Sequence, residues 1–145
     1  MFQHLLLAID GSSLSESAFR KGVAFAHDAG ARITAVRVIP DFHTYTYQVE
    51  MLADTRTQYA RDAGKAVEDY LDAMAAEATA ANVPCDTVSV IHDHPYEAII
   101  NTALEKGCDL IVMASHGRRG LQGVLIGSET QKVLTHSRIP VLVYR

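Results

Sequence analysis

Residues 4–12 read His-Leu-Leu-Leu-Ala-Ile-Asp-Gly-Ser, and the abrupt change from apolar to polar after Ile9 decides the architecture. A continuous apolar run of strand length, with no alternation, suits a strand covered on both faces, as in a parallel sheet. Ser13 and Glu16 then stand at capping-box spacing. Leu14, Ala18, Gly22, Phe25 and Ala26 recur with helical period until Gly30 supplies a stop. The opening is therefore one strand followed by one helix.

Working outward, the unit repeats. Ile33–Ile39 is a second strand stopped by Pro40, and a long helix follows with apolar positions at Ala60, Ala63, Val67, Leu71, Met74 and Ala78. Residues 41–54 carry no clear pattern. Thr87–Ile91 forms a third strand, Pro95 opens a helix running through Lys106, and Gly107 closes it. Leu110–Ala114 is a fourth strand, Ser128–His136 a helix, and Pro140–Tyr144 a fifth strand. Strands alternating with helices imply right-handed crossovers, and hence an α/β fold: a doubly wound five-stranded parallel sheet with helices on both faces.

The 145 residues, 48% of them hydrophobic, suit one domain spanning 1–145. A formal charge of -4 gives no net field for a nucleic-acid backbone, so no nucleic-acid partner is expected. Cys85 and Cys108 lack CxxC spacing and read as reduced, packed thiols. The apolar run after Met1-Phe2-Gln3 is too short to span a bilayer and lacks the form of a signal peptide. The expected location is the cytoplasm, without membrane insertion.

Doubly wound sheets bind ligands beyond the carboxyl ends of their strands, where the strand order reverses. The residues to search are Asp10, Val38 to Asp41, Ile91 to His94 and Ala114 to Gly117. The fourth of these stretches leads into Gly117, Gly120, Gly123 and Gly127, four glycines within eleven residues, just before a helix start. Glycine lets a ligand approach the backbone, and a helix start presents unpaired N–H groups and partial positive charge suited to phosphate. Ser128 and Thr130 add hydroxyls there, while Arg118 and Arg119 add charge. The same residues also read as a tight turn, a helix cap and a solvated arginine pair. GxxxxGK[ST] and GxGxxG are both missing.

Other polar residues compete for a role. Asp10 either contacts a ligand or caps the following helix. His92-Asp93-His94 supplies only part of a metal coordination sphere and reads as a surface turn before Pro95. His116 touches phosphate or positions the loop, and has no identifiable proton-transfer partner. His136 is expected to interact with the carboxyl end of its helix. Ser12 and Ser13 stand outside any GxSxG elbow.

With these residues in view, the chain resembles the universal stress proteins. Nucleotide-binding members carry G-x2-G-x9-G-[ST] after the fourth strand, matched here by Ala114-x2-Gly117-x9-Gly127-Ser128. The resemblance extends to the opening Leu-Ala-Ile-Asp-Gly-Ser, the Asp-Leu-Ile-Val-Met-Ala-Ser-His-Gly-Arg stretch, Lys-Val-Leu and the closing Pro-Val-Leu-Val. It implies a Rossmann-like fold akin to the adenine nucleotide alpha hydrolases. In the site it implies, Ala8, Ile9 and Asp10 meet the nucleoside, and Val38 and Met113 line the adenine and ribose pocket. Gly117, Gly127, Ser128 and Thr130 hold phosphates. Arg118 beside the loop and Glu129 between the hydroxyls complete that site. The first motif position is Ala114 instead of glycine, a methyl that is sterically tolerable where φ is negative.

The ligand so implied is ATP, with ADP or AMP as alternatives and Mg²⁺ held through the phosphates. The apolar run Val141–Tyr144 is a sheet edge that can pair with a second copy, and the resemblance also points to a homodimer or higher oligomer, with a further protein partner of unknown identity. The expected function is an ATP-binding stress-response or regulatory protein acting through nucleotide-dependent conformation. The alternatives are a slow ATP hydrolase or nucleotide-dependent enzyme, with Asp10 or His116 assisting, and a nucleotide-free dimeric interaction module.

Overall fold

A strand whose central residues are all apolar must be covered above and below, and the fold is built around that need at Leu5–Leu7 of β1. The computed structural model describes residues 1–41, 53–117 and 126–145. In chain order the elements are β1 (His4–Ala8), α1 (Ser13–Ala29), β2 (Arg32–Ile39), α2 (Ala53–Ala80) and β3 (Cys85–Ile91). They are followed by α3 (Pro95–Lys106), β4 (Leu110–Ala114), α4 (Ser128–His136) and β5 (Val141–Tyr144). All strand pairings are parallel, in the order β3-β2-β1-β4-β5. The chain first winds from β1 to the β3 edge, then crosses back to lay β4 on the other side of β1.

Alternation along the strands divides the core. Leu5, Leu7, Ile9, Ile33, Ala35, Leu110 and Val112 pack beneath α1 and α2, against Phe19, Val23, Leu71 and Met74. Leu6, Val36, Ile111 and Met113 face α3 and α4, against Ile99, Ala103 and Val133. Helix α1 lies close to the sheet because Gly22 has no side chain: a Cβ there would stand 2.7 Å from Leu7 Cδ2. The expected two-faced parallel sheet is therefore the observed one. Among the described residues no helix is long and apolar enough to cross a membrane.

Element ends differ slightly from expectation, for identifiable reasons. The N-cap of α1 is Ser12 instead of Ser13. The Asp10 carboxylate accepts the Ser12 amide proton at 2.9 Å, which holds Ser12 extended, and the Ser12 hydroxyl accepts from the Ser15 amide at 3.2 Å. The start of β3 moves forward to Cys85 because that residue pairs with Ile33. Helix α2 starts within the stretch that carried no pattern, Ala60 is exposed, and among the described side chains contact with the core begins at Val67. Gly30 and Gly107 close α1 and α3 in the left-handed conformation that favours glycine.

At the opposite end of the sheet from the strand carboxyl ends, His4 is 5% exposed, and its Nε2 lies 2.8 Å from Thr34 Oγ1. Among the described residues its Nδ1 makes no hydrogen bond, although the Lys106 backbone lies near enough to favour the protonated ring. Burial, and then the Arg32 charge, hold the imidazole below its usual 6.5. The unfolded chain takes up this proton near pH 6.5, whereas the folded chain does so only at lower pH. Stability is thus intact above 6.5 and is lost as pH falls through the folded value. Urea unfolding between pH 7 and pH 5 should show a steeper fall in midpoint for the parent protein than for His4→Gln, which has no titrating group at this position.

Candidate functional site

The strand order reverses between β1 and β4, and the chains leaving their carboxyl ends diverge at the place where doubly wound sheets hold ligands in a crevice. On the β1 side, Asp10 accepts from Ser12 through Oδ1, and the Asp10 amide donates to Ser15 Oγ at 3.3 Å. Gly11 turns the chain with φ +82°. On the β4 side, Gly117 stands directly against Asp10: a Cβ there would collide with Asp10 Oδ2. The two strand ends therefore meet at a carboxylate and a glycine, and the absence of a side chain at 117 is what lets them meet.

The start of α4 is fitted onto the end of β4 just as closely. Gly127 donates its amide proton to the Ser115 carbonyl at 2.6 Å, and a Cβ on Gly127 would lie 3.1 Å from His116 Cα. Thr130, 3% exposed, donates its hydroxyl proton to the Ala114 carbonyl at 3.0 Å. Ser128 is exposed on the first turn. Gly127 is the N-cap of α4 and gives that end no side-chain hydrogen bond, whereas α1 is capped by its own Ser12. The first amides of α4 thus keep the donor capacity and partial positive charge that attract an anion.

The other expected residues divide by face. Ala8, Val38 and Met113 all belong to the side covered by α3 and α4, where they make an apolar shelf at the strand ends. Ile9 points the other way, into the core beneath α1 and α2, so only its backbone borders the crevice. Among the described residues Asn82 is the one non-glycine with positive φ, so Ala114 keeps an ordinary strand backbone, paired with Tyr144. The methyl that departs from the motif costs no backbone strain. Glu129 turns away from its two neighbours. Its Oε2 accepts from the Tyr96 amide at 3.0 Å and its Oε1 lies 3.2 Å from Lys132 Nζ, bracing α4 against α3. Arg118 lies outside the described residues.

Two residues at these strand ends were missed from sequence. Val90 extends the apolar shelf from β3, and its signal was its pairing with Val38 in a neighbouring strand. Arg37 is a half-buried cation between Val36 and Val38 near the end of β2, which was itself the clue. Its guanidinium lies 4.9 Å over the Tyr70 ring. The Tyr70 hydroxyl donates to Glu16 at 3.2 Å, and burial, followed by the Glu16 carboxylate, pushes its pKa up to about 12.

The histidines take local roles. His92 Nδ1 accepts from the His94 amide at 2.9 Å, forming the turn before α3, and His136 Nδ1 donates to the Lys132 carbonyl at 2.8 Å near the end of α4. His116 Nδ1 is 2.9 Å from the Ser115 hydroxyl. Among the described residues no three His, Cys, Asp or Glu side chains gather as a metal site. An open groove between α1 and α2, lined by Arg20, Val23, His27 and Glu77, lies toward the far end of the sheet.

The sequence model of the Universal stress protein family matches residues 1–145. The chain belongs to the universal stress protein family. It is 32% identical to a universal stress protein of Thermus aquaticus and 31% identical to the universal stress protein YxiE of Bacillus subtilis, each over the whole length of both chains. Its fold is similar to that of protein MJ0577 of Methanocaldococcus jannaschii, with a TM-score of 0.83 and 24% identity over 99% of this chain and 95% of that one. Two further solved structures of universal stress proteins share the fold. One is in complex with cAMP, at TM-score 0.69 and 21% identity, covering 99% of this chain and 97% of that one. The other, from Archaeoglobus fulgidus, is in complex with dAMP, at TM-score 0.66 and 14% identity, covering 100% of this chain and 98% of that one.

The two hydroxyls of this universal stress protein chain are not equivalent. Thr130→Val removes the donor to the Ala114 carbonyl and should destabilise the fold by about 1–2 kcal/mol. Ser128→Ala, at an exposed position, should stay within about 0.5 kcal/mol of the parent. Urea denaturation of both variants without ligand measures the difference.

Proposed function

We propose that this chain binds an adenine nucleotide, with ATP the leading candidate, and acts as a stress-response regulator whose conformation and partner surface change with nucleotide occupancy. The observation that carries the reading is the glycine N-cap of α4, which gives that helix end no side-chain bond while it sits on the end of β4 beside the crevice. A phosphate there takes the open amides and the Ser128 hydroxyl. Thr130 holds the helix end in place through Ala114. The shelf of Ala8, Val38, Val90 and Met113 accepts an apolar base, and Asp10 offers a carboxylate to the hydroxyls or amine of a nucleoside. Two structures of the same family hold cAMP and dAMP, which adds support for an adenine nucleotide. Mg²⁺ accompanies the phosphates, and we assign the protein to the cytoplasm, the compartment that supplies ATP.

If Ser128 is a phosphate donor, Ser128→Ala should weaken ATP binding roughly 10- to 100-fold, corresponding to ~1.5–3 kcal/mol for a charge-assisted hydrogen bond. Adenosine affinity should not change. Isothermal titration with both ligands reads this, and an ATP affinity equal to the parent's would sink the phosphate assignment.

We also propose a homodimer, with higher oligomers built from it, formed by pairing of β5 edges. Strand β5 ends the sheet, and Leu142 on it is 44% exposed. Analytical ultracentrifugation at micromolar concentration should show a dimer that Leu142→Glu converts to monomer. A parent protein that sediments as monomer would overturn this assembly.

A further inference from the structure

The turn that carries Asp10 is backed by a strut from three other elements. Gly11 has φ +82°, and the position its Cβ would occupy is 3.1 Å from Arg37 Nη1, 3.5 Å from Nη2 and 3.6 Å from Cζ. The guanidinium thus turns its Nη1–Nη2 edge toward the glycine. Its other support is the Tyr70 ring in α2, 4.9 Å away, and the Tyr70 hydroxyl is tied to Glu16 in α1. Arginine suits this place because its rigid planar group can stack on an aromatic face and still present a flat edge to the backbone.

We propose that Arg37, stacked on Tyr70, is a positioning residue for the nucleoside end of the ligand, holding the Gly11 turn so that Asp10 stays at the mouth of the crevice. The proposal rests on the nucleotide reading above and extends it from the phosphate end to the opposite end of the ligand. Arg37 lies on the side of the sheet covered by α1 and α2, while the apolar shelf lies on the side of α3 and α4, so Arg37 acts through Asp10 instead of by stacking on the base. The Asp10 and Arg37 charges are both close enough to act on the Tyr70 phenol, which agrees with one compact charged group behind the turn. A carboxylate held this way is an acceptor, and it selects a ligand that brings hydroxyl or amine donors to that end.

The test is a double-mutant cycle on adenosine binding, read by isothermal titration. Arg37→Met keeps the aliphatic stem and should raise the adenosine Kd roughly tenfold. It should weaken ATP by the same factor, unlike Ser128→Ala, which acts on ATP alone. Asp10→Asn combined with Arg37→Met should bind no worse than Asp10→Asn alone, because both changes remove the same carboxylate contact. A merely structural arginine would instead give additive losses, and additivity overturns the proposal. Tyr70→Leu, which keeps the guanidinium but removes its stacking face, should reproduce the adenosine loss, while Tyr70→Phe should bind like the parent. If Arg37→Met does not fold, unchanged adenosine affinity in Tyr70→Leu is enough to overturn the inference. A parent protein that binds neither adenosine nor ATP sinks the nucleotide reading and this inference together, whereas parent binding that Arg37→Met leaves unaltered sinks only this one.

Discussion

Strand β1 has no side chain that can face water between Leu5 and Leu7, and each of the three is at most 1% exposed. Covering it from both sides brings α1 and α2 onto one face and α3 and α4 onto the other. Hydrogen-bonding both of its edges requires β2 on one side and β4 on the other. A strand flanked by an earlier and a later part of the chain in this way is where a doubly wound sheet reverses direction. Burial of three leucines and the position of the crevice are thus one constraint seen from two sides.

That constraint makes the strand ends crowded, and the crowding explains the small residues found there. Gly117 admits the Asp10 carboxylate and Gly127 lets α4 close onto Ser115. The first motif position tolerates a methyl for the converse reason, since Ala114 is still a regular strand residue with a paired backbone. Donors are divided with equal economy. Thr130 spends its proton inside the protein, Ser128 keeps its hydroxyl at the surface, and the N-cap between them and the loop carries no side chain to fill the helix end. A helix end without a side-chain cap arises where the local sequence withholds one that α1, on the other side of the strand ends, supplies for itself.

Much of this was legible in the chain. The glycine stops at 30 and 107 and Pro95 at a helix start depend on interactions within a few residues, and each appears where the local pattern puts it. The run at 4–9 and the limits of α4 were legible too, although β1 closes at Ala8 and both elements are held by partners distant in the chain. The glycine-bearing stretch was open to two local readings, a phosphate site or a tight turn with a helix cap, and its middle, residues 118–125, lies outside the described residues. What failed was local as well: Ser13 has the right spacing for a capping box, but the Asp10 carboxylate fixes Ser12 one residue earlier, and spacing alone cannot register that competition.

The sequence by itself determined which segments are strands and helices, which strands lack a polar face, and which stretch can present a bare helix end. Only the tertiary structure decided where the side chains on those segments spend their hydrogen bonds. Thr130 and Glu129 are neighbours in the chain, but one is turned to Ala114 and the other to Tyr96. Arg37 of β2 meets Tyr70 of α2 and the turn at Gly11. Periodicity and capping are written within one or two turns of chain. The partner of a side chain is set by which faces the packed sheet brings together, and that depends on burying the whole core at once.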